Sequence, residues 1–215
     1  MTIVIPAKLA AEAMGFVSRE ETRFYLHGFC VDNAGFIVTT DGHRMYVAKP
    51  KPGDIILQSD RSNPIIKLNP AMVKACTARP KHGGSSPAWL VILDDASPDV
   101  AHIVQASCAE DAAAACSLPG SVLATQLDVF IDGVFPDWRR VLPDLSNDNA
   151  KASQSVGFNA AYLGSYAKLS DRSGIVITGT GNGPALIRAI GRDDVFCVLM
   201  PMRGGEGDDA FPFKV

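Results

Sequence analysis

The feature that most constrains the fold of this chain is a short sequence pattern that occurs three times. In each copy, a run of apolar residues leads directly into a residue that favours a helix start, and a helix-forming segment follows. The three copies are Ile3–Ile5 with Pro6, Ile65–Leu68 with Asn69 and Pro70, and 156–158 with Asn159. This internal repeat predicts a small module of one strand, one helix and further strands, used three times along the chain.

Each helical segment is followed by runs of β-branched and aromatic residues, which predict strands. The first copy predicts a hairpin of Thr22–Val31 and Phe36–Thr40, then a strand at Met45–Ala48. In the second copy, Ala109–Cys116 is compatible with a loop or a short helix between strands. The strands predicted for the second and third copies are Trp89–Leu93, His102–Gln105, Val122–Leu127, Gly174–Thr178, Ala185–Arg188 and Val195–Leu199.

Length and charge limit the classes of protein to consider. The 215 residues suffice for one or two domains, and a net charge of -3 argues against binding nucleic acid through a uniformly basic surface. Any DNA contact must therefore be local. We expect a cytoplasmic, soluble protein, because no basic leader and no long apolar run occurs. The five cysteines form no CxxC pair, so we interpret them as small buried hydrophobic residues.

Three stretches of the chain carry a specific resemblance when they are taken together. They are Thr22–Gly28 with Thr40–Met45, then Ile131–Pro143, which reads IDGVFPDWRRVLP, and Val198–Arg203, which reads VLMPMR. At matching relative positions they resemble the second and third domains of the bacterial DNA polymerase III beta subunit, the beta sliding clamp.

The resemblance implies an α+β DNA clamp fold, built from repeated strand–helix–strands half-modules with antiparallel sheets outside and helices on one face. Residues 1–143 are similar to the whole middle clamp domain, and 156–203 to the second half of the last one. The polar stretch 144–155 is expected to be a linker, and 204–215 a flexible tail. Nothing in the sequence resembles the first clamp domain.

The resemblance also implies a DNA replication or repair factor that holds double-stranded DNA without reading its sequence. Clamps of this family join head to tail into a ring of twelve half-modules, so four chains of three half-modules would give the same count. In the family, the polymerase and other clients insert a short peptide into one hydrophobic groove. The matching groove residues here are Leu26, Thr40, Gly42, His43, Arg44, Met45, Pro143, Val198, Leu199, Met200, Pro201, Met202 and Arg203.

A second set of residues is a candidate for DNA contact, because the family lines its central hole with helices. The candidates are Lys8, Phe24, Tyr25, Lys74, Arg79, Lys81, Lys168 and Arg172. The alternative for the cations is a solvated surface, and for the two aromatic residues it is packing within the predicted hairpin.

No residue pattern indicates catalysis. His43 stands beside Asp41, but without a nucleophile or a metal partner a role in stabilising the turn is the better interpretation. We therefore expect a binding protein that is not an enzyme and needs no cofactor or metal. The alternative function is a non-ring module that keeps the groove to bind clamp clients or the host clamp.

Overall fold

The structure, a computed structural model, describes residues 2–77, 86–93, 98–118, 120–143, 156–170, 174–179 and 183–202. The chain divides into two compact units, unit 1, Met1–Pro136, and unit 2, Asp137–Val215. The expected linker 144–155 and tail 204–215 lie outside the described residues. The two units are described separately.

Unit 1 consists of two modules that alternate strands and short helices. Its first module contains β1 Thr2–Pro6, α1 Ala7–Met14, a 3₁₀ helix Glu21–Leu26, β2 Phe29–Val31, β3 Ile37–Thr40, β4 Arg44–Ala48 and β5 Ile56–Gln58. The second module contains β6 Ile65–Ile66, α2 Pro70–Cys76, β7 Ala88–Leu93, β8 Val100–Gln105, α3 Ala109–Ala115, β9 Val122–Leu127 and β10 Phe130–Ile131.

The two modules of unit 1 exchange their first strands. One antiparallel sheet has the order β5-β1-β7-β8-β9, so β1 of the first module lies in the sheet of the second. The other has the order β10-β6-β2-β3-β4, so β6 of the second module lies in the sheet of the first. Each module therefore completes the sheet of the other, and the two are related by an approximate two-fold symmetry of topology.

The helices of unit 1 cover both faces of the first sheet. Helices α1 and α2 contact each other, and both contact β7. Val4 and Trp89 point to the opposite face, where they form a buried cluster with three alanines of α3. The alanine-rich sequence lets α3 lie close to the strands because it has no bulky side chains on its buried side. Of the two alternatives for Ala109–Cys116, a loop or a short helix, the structure shows the helix, which lies on the second face of this sheet.

The predicted hairpin strand Thr22–Val31 is wrong over its first half. Residues Glu21–Leu26 form a 3₁₀ helix, and the strand begins only at Phe29. The Ser18 N–H donates to the Leu26 carbonyl at 2.9 Å, which ties the ends of the segment together. Phe24 and Tyr25 favour a strand by their intrinsic propensity, but this preference depends on packing within a sheet, and here the tertiary structure overrides it.

Unit 2 contains one further module. Its elements are a second 3₁₀ helix Trp138–Val141, α4 Ala160–Ala167, β11 Ile175–Thr178, β12 Ala185–Ala189 and β13 Val195–Leu199. The three strands form an antiparallel meander in sequence order, and α4 contacts β12. The strands confirm the prediction for the third copy.

The predicted helix starts are confirmed at both asparagines. The Asn69 side chain accepts a hydrogen bond from the Met72 N–H at 2.9 Å, and the Asn159 side chain accepts one from the Ala161 N–H at 2.9 Å. A side-chain oxygen at this position satisfies an N–H that the helix itself leaves without a partner.

Three of the five cysteines are buried, as expected, whereas Cys108 and Cys116 are only partly buried. Cys30, Cys76 and Cys197 are buried, and burial raises the pKa of the Cys76 thiol to about 12. Because the thiolate is the reactive form, we expect iodoacetamide at about pH 8 to leave Cys76 unmodified in the native protein. Peptide mass spectrometry after native and denatured labelling measures this, and rapid native labelling of Cys76 would contradict the buried position.

Candidate functional site

The turn between β3 and β4 is built around the Asp41 carboxylate. One Asp41 oxygen accepts hydrogen bonds from the N–H groups of His43 and Arg44, both at 3.0 Å. The Thr40 hydroxyl donates to the Arg44 carbonyl at 2.8 Å and accepts from the Gly42 N–H at 3.0 Å. Gly42 has φ +91°, a conformation that disfavours a side chain. The local sequence therefore holds this turn in one shape.

The Arg44 side chain joins the turn to the end of α1. Its Nε lies 2.8 Å from Asp41 Oδ2, and its Nη2 donates to the Gly15 carbonyl at 3.0 Å. The guanidinium also stands over the Phe16 ring, 4.6 Å from its centroid. Both ionic side chains are only 13% exposed. Arg44 is therefore a fixed part of the turn, and donors on a fixed guanidinium are directional.

The other expected groove residues of unit 1 differ in exposure. Leu26 and Met45 are buried, whereas Gly42 and His43 are exposed at the tip of the turn. A Cβ on Gly42 would collide with the Arg23 guanidinium of the first 3₁₀ helix. The turn thus packs against that helix, so that the segments Thr22–Gly28 and Thr40–Met45 are neighbours in unit 1.

In unit 2, the expected groove residues change from buried to exposed along the chain. Val198 and Leu199 are buried at the end of β13, whereas Met200 is 42% and Met202 is 58% exposed. The Met202 N–H donates to the Gly157 carbonyl at 2.8 Å, which holds the segment after β13 in place. The two methionines present flexible apolar side chains on a fixed backbone. Pro201 is partly buried, and Arg203 lies outside the described residues.

Pro143 lines a cavity of about 570 Å³ in unit 2. Arg188 and Phe196 lie opposite each other on β12 and β13 and contribute one wall. Sequence reasoning missed these residues, because the register that brings them together is not visible in a motif. The remaining lining residues are Leu142, Leu186, Arg192, Asp193 and Val195.

Two of the candidate DNA-binding lysines of unit 1 share one cleft. Lys8 on α1 and Lys74 on α2 both line it and both are exposed. Lys8 Nζ lies 3.9 Å from Glu12 Oε1, so part of its charge is balanced locally. A cleft with cations on two adjacent helices can accept phosphate groups of a nucleic-acid backbone.

The remaining DNA-binding candidates are more dispersed. Phe24 is 53% exposed and meets Tyr25 edge to face, with 5.8 Å between ring centroids, which excludes packing of Phe24 in a hairpin core. Lys168 is exposed at the C-terminal end of α4. Arg79, Lys81 and Arg172 lie outside the described residues.

Within the described ranges, no group of three or more His, Cys, Asp or Glu side chains could hold a metal ion. In the same ranges, no helix has the length and apolar character needed to cross a bilayer. The His43 backbone N–H donates to the Asp41 carboxylate within the turn, which agrees with the turn-stabilising interpretation.

Comparison with solved structures places this arrangement among known folds. The chain superposes over 94% of its length on a DNA polymerase III beta sliding clamp from Bartonella birtlesii bound to griselimycin, with a TM-score of 0.59 and 21% identity. A clamp from Pseudomonas aeruginosa gives 0.61 and 19% over 94% of the chain, and one from Bacillus subtilis gives 0.59 and 17% over 95%. The chain has the sliding-clamp fold.

The likeness to sliding clamps is one of structure at low sequence identity. No protein-family model matches the chain, and no curated protein matches it. The chain spans 66% of the length of the Bartonella and Pseudomonas clamps and 65% of the Bacillus clamp. The resemblance inferred from the three motifs and the expected α+β clamp fold are confirmed at the level of the fold.

Proposed function

We propose that this chain is a sliding clamp-like factor of DNA replication or repair, which assembles with copies of itself around DNA and binds client proteins through a peptide groove. The observation that carries this proposal is the clamp fold over 94% of the chain. In this proposal the protein binds and recruits, and it is not an enzyme. A tetramer of four chains and a cytoplasmic location remain predictions.

The cleft between α1 and α2 supports the DNA-binding part of the proposal. Lys8 and Lys74 place positive charge on a helical surface of a chain that is acidic overall. Contacts of this kind to phosphates are independent of base sequence, which suits a protein that must move along double-stranded DNA. Salt weakens such contacts, since binding of phosphates releases counterions.

The exposed methionines support the client-binding part. We propose that a client peptide with Leu or Phe anchors contacts Pro143, Met200 and Met202 of unit 2, and that the turn carrying His43 in unit 1 is also a client-binding surface. Flexible thioether side chains adapt to different apolar anchors, so that one surface can serve several clients. The turn, held by Asp41 and Arg44, supplies a wall of fixed shape.

Truncation of the exposed methionines tests this surface. We expect Met202→Ala to weaken binding of a fluorescent clamp-binding peptide by about 5- to 10-fold, because an apolar contact of roughly 1 kcal/mol is lost. Fluorescence anisotropy measures the affinity. Leu127→Ala, at an exposed site of similar size on β9, is the matched control and is expected to bind like wild type. Equal affinities for all three proteins would contradict the proposed groove.

The encircling of DNA is tested by topology. A closed ring is retained on nicked circular DNA and slides off the same DNA after linearisation, whereas ordinary binding does not distinguish the two. Gel filtration of protein–DNA mixtures measures retention. If the protein is retained on neither the circular nor the linear DNA but still binds the peptide, the second candidate function is favoured. That function is a non-ring module that binds clamp clients or the host clamp.

A further inference from the structure

The described part of unit 2 contains one module, half of what unit 1 contains. In unit 1, the first strand of each module leaves its own sheet and pairs with the partner module, β1 with β7 and β6 with β2. The described part of unit 2 holds one module, with α4 and the meander β11–β13. In unit 1, each module packs against the other through its helix and through the strand that follows this helix. Unit 2 has the corresponding helix and strand, α4 and β11.

The strand-exchange position is also present in unit 2. In every module, the residue three positions before the helix pairs with the segment that follows the last strand of the meander. The three pairs are Val4 opposite Ile56, Lys67 N–H donating to Val129 O at 2.8 Å, and Met202 N–H donating to Gly157 O at 2.8 Å. Residues 156–158 therefore have one edge paired with the segment after β13, as β1 and β6 do in their modules. The opposite edge corresponds to the one that β1 and β6 use to pair with the partner module.

Strand β11 corresponds to β2 and β7, the strands that receive the exchanged strand. Those two strands are buried along their length, apart from partly buried ends of β7. In contrast, Val176 is 41% and Ile177 is 42% exposed on β11, which pairs only with β12 among the described residues. A strand edge of this composition normally carries a charge, a proline or a bulge that blocks pairing, and Ile-Val-Ile-Thr has none of them.

The two exposed residues of β11 point to different sides of the sheet. Ile177 lies opposite Ile187, which is buried on the side that α4 covers, whereas Val176 lies opposite the exposed Arg188. The core beneath α4 is therefore open at Ile177. In unit 1 this space is closed, since two helices pack side by side.

Helix α4 has the properties of a helix that another helix approaches closely. Gly164 stands in its middle, exposed, and a Cβ there would meet no atom of the described residues within 4 Å. A glycine inside a helix lowers the stability of the helix. Close packing of a neighbouring helix against the glycine can offset this cost. Residues 156–167 and 174–187 contain no charged side chain, so two identical surfaces of this kind would not repel each other.

We propose that unit 2 pairs with unit 2 of a second copy of this chain about a two-fold axis, and that the two modules together build one complete clamp domain. Residues 156–158 of each copy add to β11 of the other, and the two α4 helices pack at Gly164. The symmetry follows from unit 1, because the approximate two-fold relation of its modules becomes a true one between identical modules. This deepens the proposed function, on whose self-assembly it rests.

Sedimentation velocity of the full chain tests the interface, with substitutions on the two sides of β11. Wild type is expected to form a dimer or an even multiple of it. Ile177→Lys is expected to raise the dissociation constant on the order of 100-fold, because it places a charge in the closed core. Val176→Lys is the matched control, because Val176 lies on the same strand and is similarly exposed but points to the opposite side of the sheet. This variant is expected to remain a dimer.

A second variant keeps the test valid if Ile177→Lys becomes monomeric only because it unfolds. Gly164→Leu has space in the single chain and improves helix propensity, so it is expected to stay folded and to become monomeric. Hydrogen exchange of the β11 amides is expected to be slow in wild type and fast in Gly164→Leu. A monomeric wild type, equal effects of both lysines, or protected β11 amides in a monomer would overturn the proposal.

The same variants separate this interface from the function proposed above. If wild type dimerises through Ile177 but is not retained on circular DNA, the interface stands and the ring is refuted. If wild type is retained on circular DNA as an oligomer that Ile177→Lys and Gly164→Leu leave intact, the ring stands and this interface is refuted.

Discussion

Replacement of Gly28 by alanine is expected to destabilise unit 1 by about 3 kcal/mol, a large share of the roughly 5 to 15 kcal/mol by which a typical domain is stable. A Cβ at this position would overlap the Ile66 carbonyl oxygen and lie 2.8 Å from its carbon, with Ile131 at 3.2 Å. The obstacle is backbone and cannot rotate away. The strand β6 would have to move off β2, at the point where the two modules exchange strands.

Thermal and urea unfolding followed by circular dichroism measure the Gly28→Ala effect. The matched control is Gly179→Ala, because among the described residues the added Cβ there meets Ala185 alone, with its Cβ at 3.5 Å, an ordinary contact. We expect that control to differ from wild type by less than about 0.5 kcal/mol. A Gly28→Ala protein as stable as the control would show that β6 does not approach β2 as closely as described.

Removal of the Asp41 carboxylate is expected to have the second largest effect, a loss of about 2 to 3 kcal/mol. Asp41 accepts hydrogen bonds from two backbone N–H groups and from Arg44, and both charged side chains are 13% exposed. Asp41→Ala removes a carboxylate that lies 2.8 Å from a mostly buried guanidinium, which costs more than the loss of an exposed pair. Under the proposed function, peptide affinity falls as well, because the turn loses its fixed shape.

The chain contains a matched ion pair for comparison. Asp137 and Arg140 have the same spacing and a similar distance, 2.9 Å, but their side chains are 55% and 83% exposed. Asp137→Ala is expected to cost less than about 1 kcal/mol by urea unfolding. A double-mutant cycle of Asp41 and Arg44 measures their coupling directly. Equal losses for Asp41→Ala and Asp137→Ala would contradict the role assigned to burial.

The modules could be predicted from the sequence because their signals are local. An apolar run, a capping asparagine and an adjacent proline act within a few residues, so the starts of α2 and α4 followed from Asn69 and Asn159 alone. Strands β5 and β10 gave no comparable signal. They have three and two residues, and each exists through its pairing with a first strand, β1 or β6. Pairing of this kind depends on the whole chain.

The candidate site shows the same division. The role of Asp41 in its turn was predictable, because aspartate commonly bonds the backbone a few residues later. The place of Arg44 against Gly15 and Phe16 was not, since those residues are about 30 positions earlier and no motif connects them. Motif matching therefore identified Arg44, and only the structure showed what it contacts.

The exchange of first strands in unit 1 has a consequence for the order of folding. Val4 pairs with Val91, which is synthesised 87 residues later. During translation, β1 must wait for β7 before its second edge is covered, whereas β11, β12 and β13 pair with one another in sequence order. We therefore expect unit 1 to fold only after β7 has been synthesised, so that a chaperone acting on the nascent chain would bind the apolar strand β1.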